Sequence, residues 1–156
     1  MCTSSRQEKF VKFSSELTAF TPVELWGTGM VDTYLQTVDK VIGEAVTDKL
    51  LSTFTAVSTC VNATQRIALL RKDILGCEYL GPIARAIIKL WYIGTWYELP
   101  TAWHDRFGVL ANDTTFVPSP NAYIEGLLWT AIGAHPPGAK AQGFGSWQAA
   151  PNIPTF

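Results

Sequence analysis

Residues with reactive side chains are few in this chain and lie far apart. His104–Asp105 is the one adjacent pair of an imidazole and a carboxylate, a combination that could transfer protons. Neighbouring residues in a helix point to different sides, so adjacency alone does not build a catalytic dyad. No GxSxG, HExxH or Walker motif accompanies the pair. We therefore interpret His104 as a helix-end or loop histidine and expect no catalytic residue.

The second histidine, His135, lies in the segment GAHPPGAK, where Lys140 could offer a cation to a phosphate. A phosphate-binding loop must lead into a helix N-terminus, and Pro136–Pro137 interrupt that path. We interpret the segment as a structural loop or a partner contact. Two alternatives stay open. One is a small stand-alone enzyme that uses His104 or His135, and the other is an element that lines the substrate entrance of a larger subunit.

Cysteine usage and charge exclude several classes of protein. Cys2, Cys60 and Cys77 show no metal-ligand spacing with the histidines, so we expect no metal and no cofactor in this chain. A single Cys60–Cys77 disulfide stays open. With 12 basic and 13 acidic residues the net charge is −1, and no basic patch indicates nucleic acid.

Nothing in the sequence predicts membrane insertion. The longest strongly apolar stretch, Ile83–Ile93, contains Arg85 and Lys89 and is too short to span a bilayer. The N-terminal residues MCTSSRQEKFVKF contain neither an apolar signal core nor twin arginines. As written, the chain is predicted to be cytoplasmic, or periplasmic if a twin-arginine leader has been removed.

Capping signals predict the first two helices. Ser5 and Glu8 form a capping-box pattern that opens a helix from Arg6 to about Ala19. A second capping box follows, in which Thr21 is the N-cap, Pro22 the first helical residue and Glu24 the acidic partner. Phe20 and Leu25 are spaced as a hydrophobic staple on the same helix.

Apolar residues at helical spacing predict the rest of a helical body over residues 5–98. The further stretches are Val31–Leu50, kinked or divided at Gly43, then Asn62–Gly76, and then a helix opened by Gly81–Pro82 and closed by Pro100. The last helix is apolar on most of its faces, which is typical of a helix at the centre of a bundle or at an interface. The predicted fold is a small bundle of about four to five helices.

Helical periodicity fades after residue 100. Of the nine prolines, seven lie from Pro100 to the end of the chain. We predict that residues 101–156 form an irregular, mostly extended partner-binding arm within a single domain of residues 1–156. The rival prediction is a short helix that starts at Pro120.

The stretch Tyr123–Trp147 combines aromatic side chains with glycines and prolines. The aromatic side chains need burial, but such a backbone does not easily form a regular element. The whole chain is 47% hydrophobic and only 16% charged, so part of its apolar surface is expected at an interface. The partner-binding residues that we predict in this stretch are Trp129, His135, Phe144 and Trp147.

Three segments together carry a resemblance to a known family. They are LTAFTPVELWGTGMVDTYLQTV, IIKLWYIGTW and YIEGLLWTAIGAHPPGAKAQGFGSW. They resemble the small subunit of bacterial FAD-dependent sugar and polyol dehydrogenases, with the D-sorbitol dehydrogenase small-subunit family the nearest. Fructose, glucose and glucoside 3-dehydrogenases have related small subunits. The likeness extends from about Phe13 to Trp147, and the last segment is the most specific.

The resemblance implies a non-catalytic accessory subunit. In that family FAD, and often an iron–sulfur cluster, are held by a large subunit of the glucose–methanol–choline (GMC) oxidoreductase type, and electrons pass to a cytochrome subunit or another acceptor. The small subunit is mostly helical, binds the large one and supports its maturation. It often carries the twin-arginine leader that exports both, and this sequence departs from the family in showing no such leader.

Overall fold

The computed structural model describes residues 5–59, 62–136 and 139, and these residues form a mostly helical bundle. The helices are α1 (Arg6–Thr18), α2 (Pro22–Gly27), α3 (Val31–Ile42), α4 (Glu44–Ser58), α5 (Ala63–Leu69), α6 (Leu80–Ile93), α7 (Thr101–Phe107), α8 (Pro120–Ile124) and α9 (Leu127–Ala131). This confirms the predicted mostly helical bundle, with more helices than the four to five expected. Over the same residues no strand forms apart from an isolated bridge between Trp96 and Phe116.

Both predicted capping boxes form. The Ser5 hydroxyl accepts a hydrogen bond from the Glu8 amide at 3.2 Å, and the Ser5 amide donates to the Glu8 carboxylate at 3.1 Å. At the next helix the Thr21 amide donates to Glu24 Oε2 at 2.7 Å. Because these bonds satisfy amides that a helix N-terminus leaves unpaired, α1 and α2 begin where the sequence predicts.

Helix α6 lies at the centre of the bundle, as its apolar faces predict. Its Trp91 is fully buried, and the indole ring packs edge-on against Tyr34 of α3 with ring centroids 4.8 Å apart. The Trp91 indole N–H donates to the Ser14 hydroxyl of α1 at 2.9 Å. The Trp91 side chain therefore joins α1, α3 and α6, and its buried indole N–H has a hydrogen-bond partner.

Glycines divide the longer predicted runs. The run Val31–Leu50 is two helices, because α3 ends and α4 begins at Gly43. The stretch Asn62–Gly76 begins with Asn62 as N-cap, but its second half, Leu70–Leu75, is a π-helical segment that ends at Gly76. Cys77, next in sequence, carries a free thiol; Cys60 lies outside the described residues.

The described part of the predicted arm differs from the extended conformation expected. Residues 101–136 contain α7, α8 and α9, and the rival prediction of a helix starting at Pro120 is the one that the structure shows. Ala122 and Leu127 belong to the hydrophobic core. Residues 140–156 lie outside the described residues.

Two glycines allow this segment to fold back onto α6. Gly94 ends α6 with φ at 73°, and a Cβ there would lie 2.2 Å from the carbonyl oxygen of Ala122. A Cβ on Gly126 would lie 2.8 Å from the carbonyl oxygen of Tyr92. Only backbones without side chains at these two points can approach so closely. The segment 122–126 is thus held against the C-terminal end of α6.

We predict that Gly94→Ala destabilises the protein strongly. Gly94 has a left-handed backbone conformation, in which a residue with a Cβ is strained, and the added Cβ would also clash with the Ala122 carbonyl oxygen. The two effects should lower the free energy of unfolding by about 2 kcal/mol or more. Gly27→Ala is the matched control, because a Cβ at Gly27 meets nothing within 4 Å and its φ is not positive. Urea unfolding followed by circular dichroism measures both. Equal stability of the two variants would contradict the close approach.

Candidate functional site

An open groove of about 490 Å³ separates α2 from the α8–α9 segment, and we call it the α2–α9 groove. Its lining residues are Phe20, Glu24, Gly27, Thr28, Ile124, Glu125, Gly126, Leu127, Trp129, Thr130, Gly133, Ala134, His135 and Pro136. One wall is therefore α2 with its flanking residues, and the other is the segment from Ile124 to Pro136. The close approach at Gly126 sets the position of the second wall.

The groove brings together two of the four residues predicted to bind a partner. Trp129 packs edge-on against Tyr123, with ring centroids 5.3 Å apart, and its indole N–H donates to the Tyr123 carbonyl at 2.8 Å. This bond fixes the orientation of the indole ring at the groove. His135 is exposed at the same groove. The other two predicted residues, Phe144 and Trp147, lie outside the described residues.

Exposed apolar side chains accompany both walls. On α2 Val23 is 80% exposed and Trp26 45%. On the opposite wall and its flank the exposed fractions are 44% for Tyr123, 37% for Leu128 and 44% for Ile132. None of these five side chains lines the groove itself. Exposed large apolar side chains are typical of a surface that binds another molecule when they form a contiguous patch.

Two carboxylates line the groove, and none of its described lining residues is lysine or arginine. Hydrogen bonds from the hydroxyl and the amide of Thr21 lower the pKa of the Glu24 carboxyl, so it is ionised at neutral pH. Glu125 lies on the opposite wall, between α8 and α9. Sequence reasoning treated Glu24 only as a capping residue and did not single out Glu125, because no local pattern shows that these two segments meet.

The negative charge of Glu125 also acts on Tyr34 in the core of the bundle. Tyr34 is fully buried, and its hydroxyl has no hydrogen-bond partner within the described part of the chain. Burial raises the pKa of the Tyr34 phenol well above its usual range, and the negative charge of Glu125 raises it further. Tyr34 is therefore held in its neutral form in the folded state.

We predict that Tyr34→Phe leaves stability unchanged or raises it at pH 7, because it removes a buried hydroxyl that has no partner. The raised pKa also makes stability depend on pH. Above the ordinary tyrosine pKa of about 10 the unfolded chain releases the proton and the folded chain keeps it, so stability falls as pH rises. Tyr34→Phe should make this fall between pH 9.5 and about 11 less steep. Urea midpoints across that range test it, and equal slopes would contradict the assignment.

His104 pairs with a different carboxylate from the one beside it in sequence. Its Nε2 lies 3.0 Å from Oδ2 of Asp113, too poorly aligned for a directional hydrogen bond, and its Nδ1 lies 3.4 Å from the Gly108 carbonyl oxygen. The Asp113 carboxylate is fully buried and accepts hydrogen bonds from the Trp96 indole N–H at 2.7 Å and the Leu99 amide at 2.9 Å. Both ring nitrogens of His104 thus face protein groups, which favours a structural role.

We predict that Asp113→Asn lowers the free energy of unfolding by about 2–4 kcal/mol, because each carboxylate oxygen accepts a hydrogen bond and the amide nitrogen of asparagine would set a donor against one of the two donors. Asp105→Asn is the matched control beside His104, and it should change stability by less than about 0.5 kcal/mol because Asp105 is exposed. Chemical denaturation measures both variants. A larger effect at Asp105 would show that the sequence neighbours form the important pair.

Across residues 5–59, 62–136 and 139, no group of three or more His, Cys, Asp or Glu residues could hold a metal ion. No helix in that part of the chain is both long and apolar enough to cross a membrane. Comparison with family models, with curated proteins and with solved structures gives no match for this chain.

Proposed function

We propose that this chain is the non-catalytic small subunit of an FAD-dependent sugar or polyol dehydrogenase complex. It binds and stabilises the large GMC-type flavoprotein subunit, which holds FAD and, in many members of the family, an iron–sulfur cluster. The observation that carries the proposal is the α2–α9 groove, together with the exposed apolar side chains on the segments that form its walls. One of its walls belongs to Tyr123–Trp147, the stretch in which the family resemblance is most specific.

Interface chemistry supports this proposal. The interfaces between stably associated subunits are large, and they are more apolar than the rest of the protein surface. The residues that contribute most to their binding energy often include tryptophan. Trp129 lines the groove and is partly exposed, and Trp26, which lies on α2 outside the groove lining, is 45% exposed. Of the two histidines, His104 is paired with Asp113 within the fold and does not line the groove, whereas His135 does line it. The apolar side chains that line the groove support a role in binding.

Partner and compartment follow from the same proposal. The large subunit would supply the substrate site and the flavin, and in some members of the family a cytochrome subunit completes the wider complex. The compartment stays a prediction.

Co-expression tests the proposal directly. We expect this chain, affinity-tagged and expressed with a GMC-type dehydrogenase subunit from the same genome, to retain a yellow protein with flavin absorbance near 450 nm. Expressed alone, it should be poorly soluble, because its apolar groove and rim then stay exposed to water. A soluble monomer that retains no flavoprotein would contradict the proposal.

We predict that Trp129→Ala weakens the complex about tenfold or more, a loss typical of an interface tryptophan. Val109→Ala is the control, since Val109 is 83% exposed but does not line the groove. Trp147→Ala should weaken the complex in the same direction. Calorimetric titration measures affinity, and circular dichroism checks that helical content is retained. Equal affinity for Trp129→Ala and Val109→Ala would remove the groove from the interface.

A further inference from the structure

We propose that α5 (Ala63–Leu69) is a hinged flap that opens while the rest of the bundle stays folded, and that the ion pair between Arg66 and Glu16 holds it closed. The burial of α5, its contact with α1 and the geometry of the segment that follows it point to this behaviour independently of the proposed function.

Helix α5 contributes little to the core. None of its seven residues is buried, and Ile67 is 45% exposed. Leu69, at the C-terminal end of the helix, is partly buried and packs against the core. A helix of two turns is marginal in water by itself, so α5 depends on its contacts with the rest of the fold. Because opening of α5 exposes much less apolar surface than unfolding of the bundle, it requires much less free energy.

An ion pair joins α5 to α1. The Arg66 Nε donates to Glu16 Oε1 at 3.1 Å, and the two side chains are 35% and 32% exposed. The two residues are 50 positions apart in the chain, so the bond connects two distant segments. An ion pair with this exposure contributes little to stability and is weakened by salt. It can therefore keep α5 closed without fixing it permanently.

The flap closes one side of a cavity of about 250 Å³. Arg66 lines the cavity on the α5 side, and Ser15 of α1 and Phe54 of α4 line it opposite. Phe54 is only 5% exposed, and its ring packs edge-on against Phe13 with ring centroids 5.4 Å apart. Movement of α5 away from α1 would therefore open the cavity and expose the Phe54 ring to water.

The hinge lies where α5 continues into the π-helical segment Leu70–Leu75. The Leu70 amide is shared between the carbonyls of Arg66 and Ile67, which ends the regular α-helical pattern. The Gly76 amide then bonds to the carbonyl five residues back, that of Arg71, at 2.7 Å. Helices bend at such changes from α-helical to π-helical bonding, so α5 can move relative to the residues that follow it.

The other end of the π-helical segment is fixed to the bundle. Leu70 and Ile74 are buried, and the Arg85 guanidinium of α6 donates to the Leu75 carbonyl at 2.9 Å. A Cβ on Gly81 would lie 2.4 Å from that same carbonyl oxygen, so α6 approaches the segment closely. Movement is therefore confined to the residues before Leu70.

We predict that the backbone amides of residues 66–69 exchange with deuterium about a hundredfold faster than those of residues 87–91 in α6, after correction for intrinsic rates. Low concentrations of urea should speed exchange in α6 but not in α5, because opening of the flap exposes little surface. Hydrogen exchange of the full chain, read by mass spectrometry with residue-level fragmentation, measures both. Equal protection of the two helices, or the same urea dependence, would overturn the proposal.

Two glutamine variants test the ion pair. Arg66→Gln keeps a helix propensity close to that of arginine, and Glu16→Gln leaves the sequence of α5 unchanged. Each should speed exchange at residues 66–69 about threefold at low ionic strength, and the unmodified chain in 0.5 M salt should match them. Arg71→Gln is the matched control, because Arg71 is exposed and does not line the cavity. No rise in Glu16→Gln, or an equal rise in Arg71→Gln, would overturn the proposal.

Discussion

The buried carboxylate of Asp113 is the constraint on which the C-terminal half of the structure depends. A carboxylate withdrawn from water is tolerated only where donors surround it, and here Trp96 and Leu99 donate while His104 stands 3.0 Å away. These contacts hold residues 96–99 beside residues 113–116, where the backbones of Trp96 and Phe116 bond to each other at 2.9 and 3.0 Å. The chain is thereby directed back towards Gly94, where the close backbone approaches at Gly94 and Gly126 hold α8 and the following residues against α6.

Much of the bundle could be predicted because its signals are local. A capping box needs residues three apart, and an apolar helix face repeats within four, so Ser5, Thr21 and Asn62 identified the starts of three helices. The central position of α6 followed from its apolar faces, and Trp91 is fully buried there. Each of these features is decided by a few neighbouring residues, which a single sequence displays in full.

The groove could be predicted only in part, because it depends on contacts between distant segments. Trp129 and His135 stood out by residue type, but nothing near Glu24 indicates that α2 faces residue 125. The segment after Pro100 looked extended because its prolines weaken helical periodicity, yet short helices need only one turn between prolines. Gly94 and Gly126 allow the close backbone contacts that fold this segment onto α6. The sequence does not reveal this, because a glycine that permits close backbone contact cannot be told from a glycine in a loop.

The two walls of the groove come from opposite ends of the described chain, around residues 20–28 and 124–136. During synthesis the first wall emerges early, but the groove does not exist until the second wall has been made and has packed against α6. A partner that recognises both walls therefore recognises only finished molecules and leaves incomplete or misfolded ones unbound. Assembly through such a surface would act as a checkpoint on folding and would fix the order in which the complex is built.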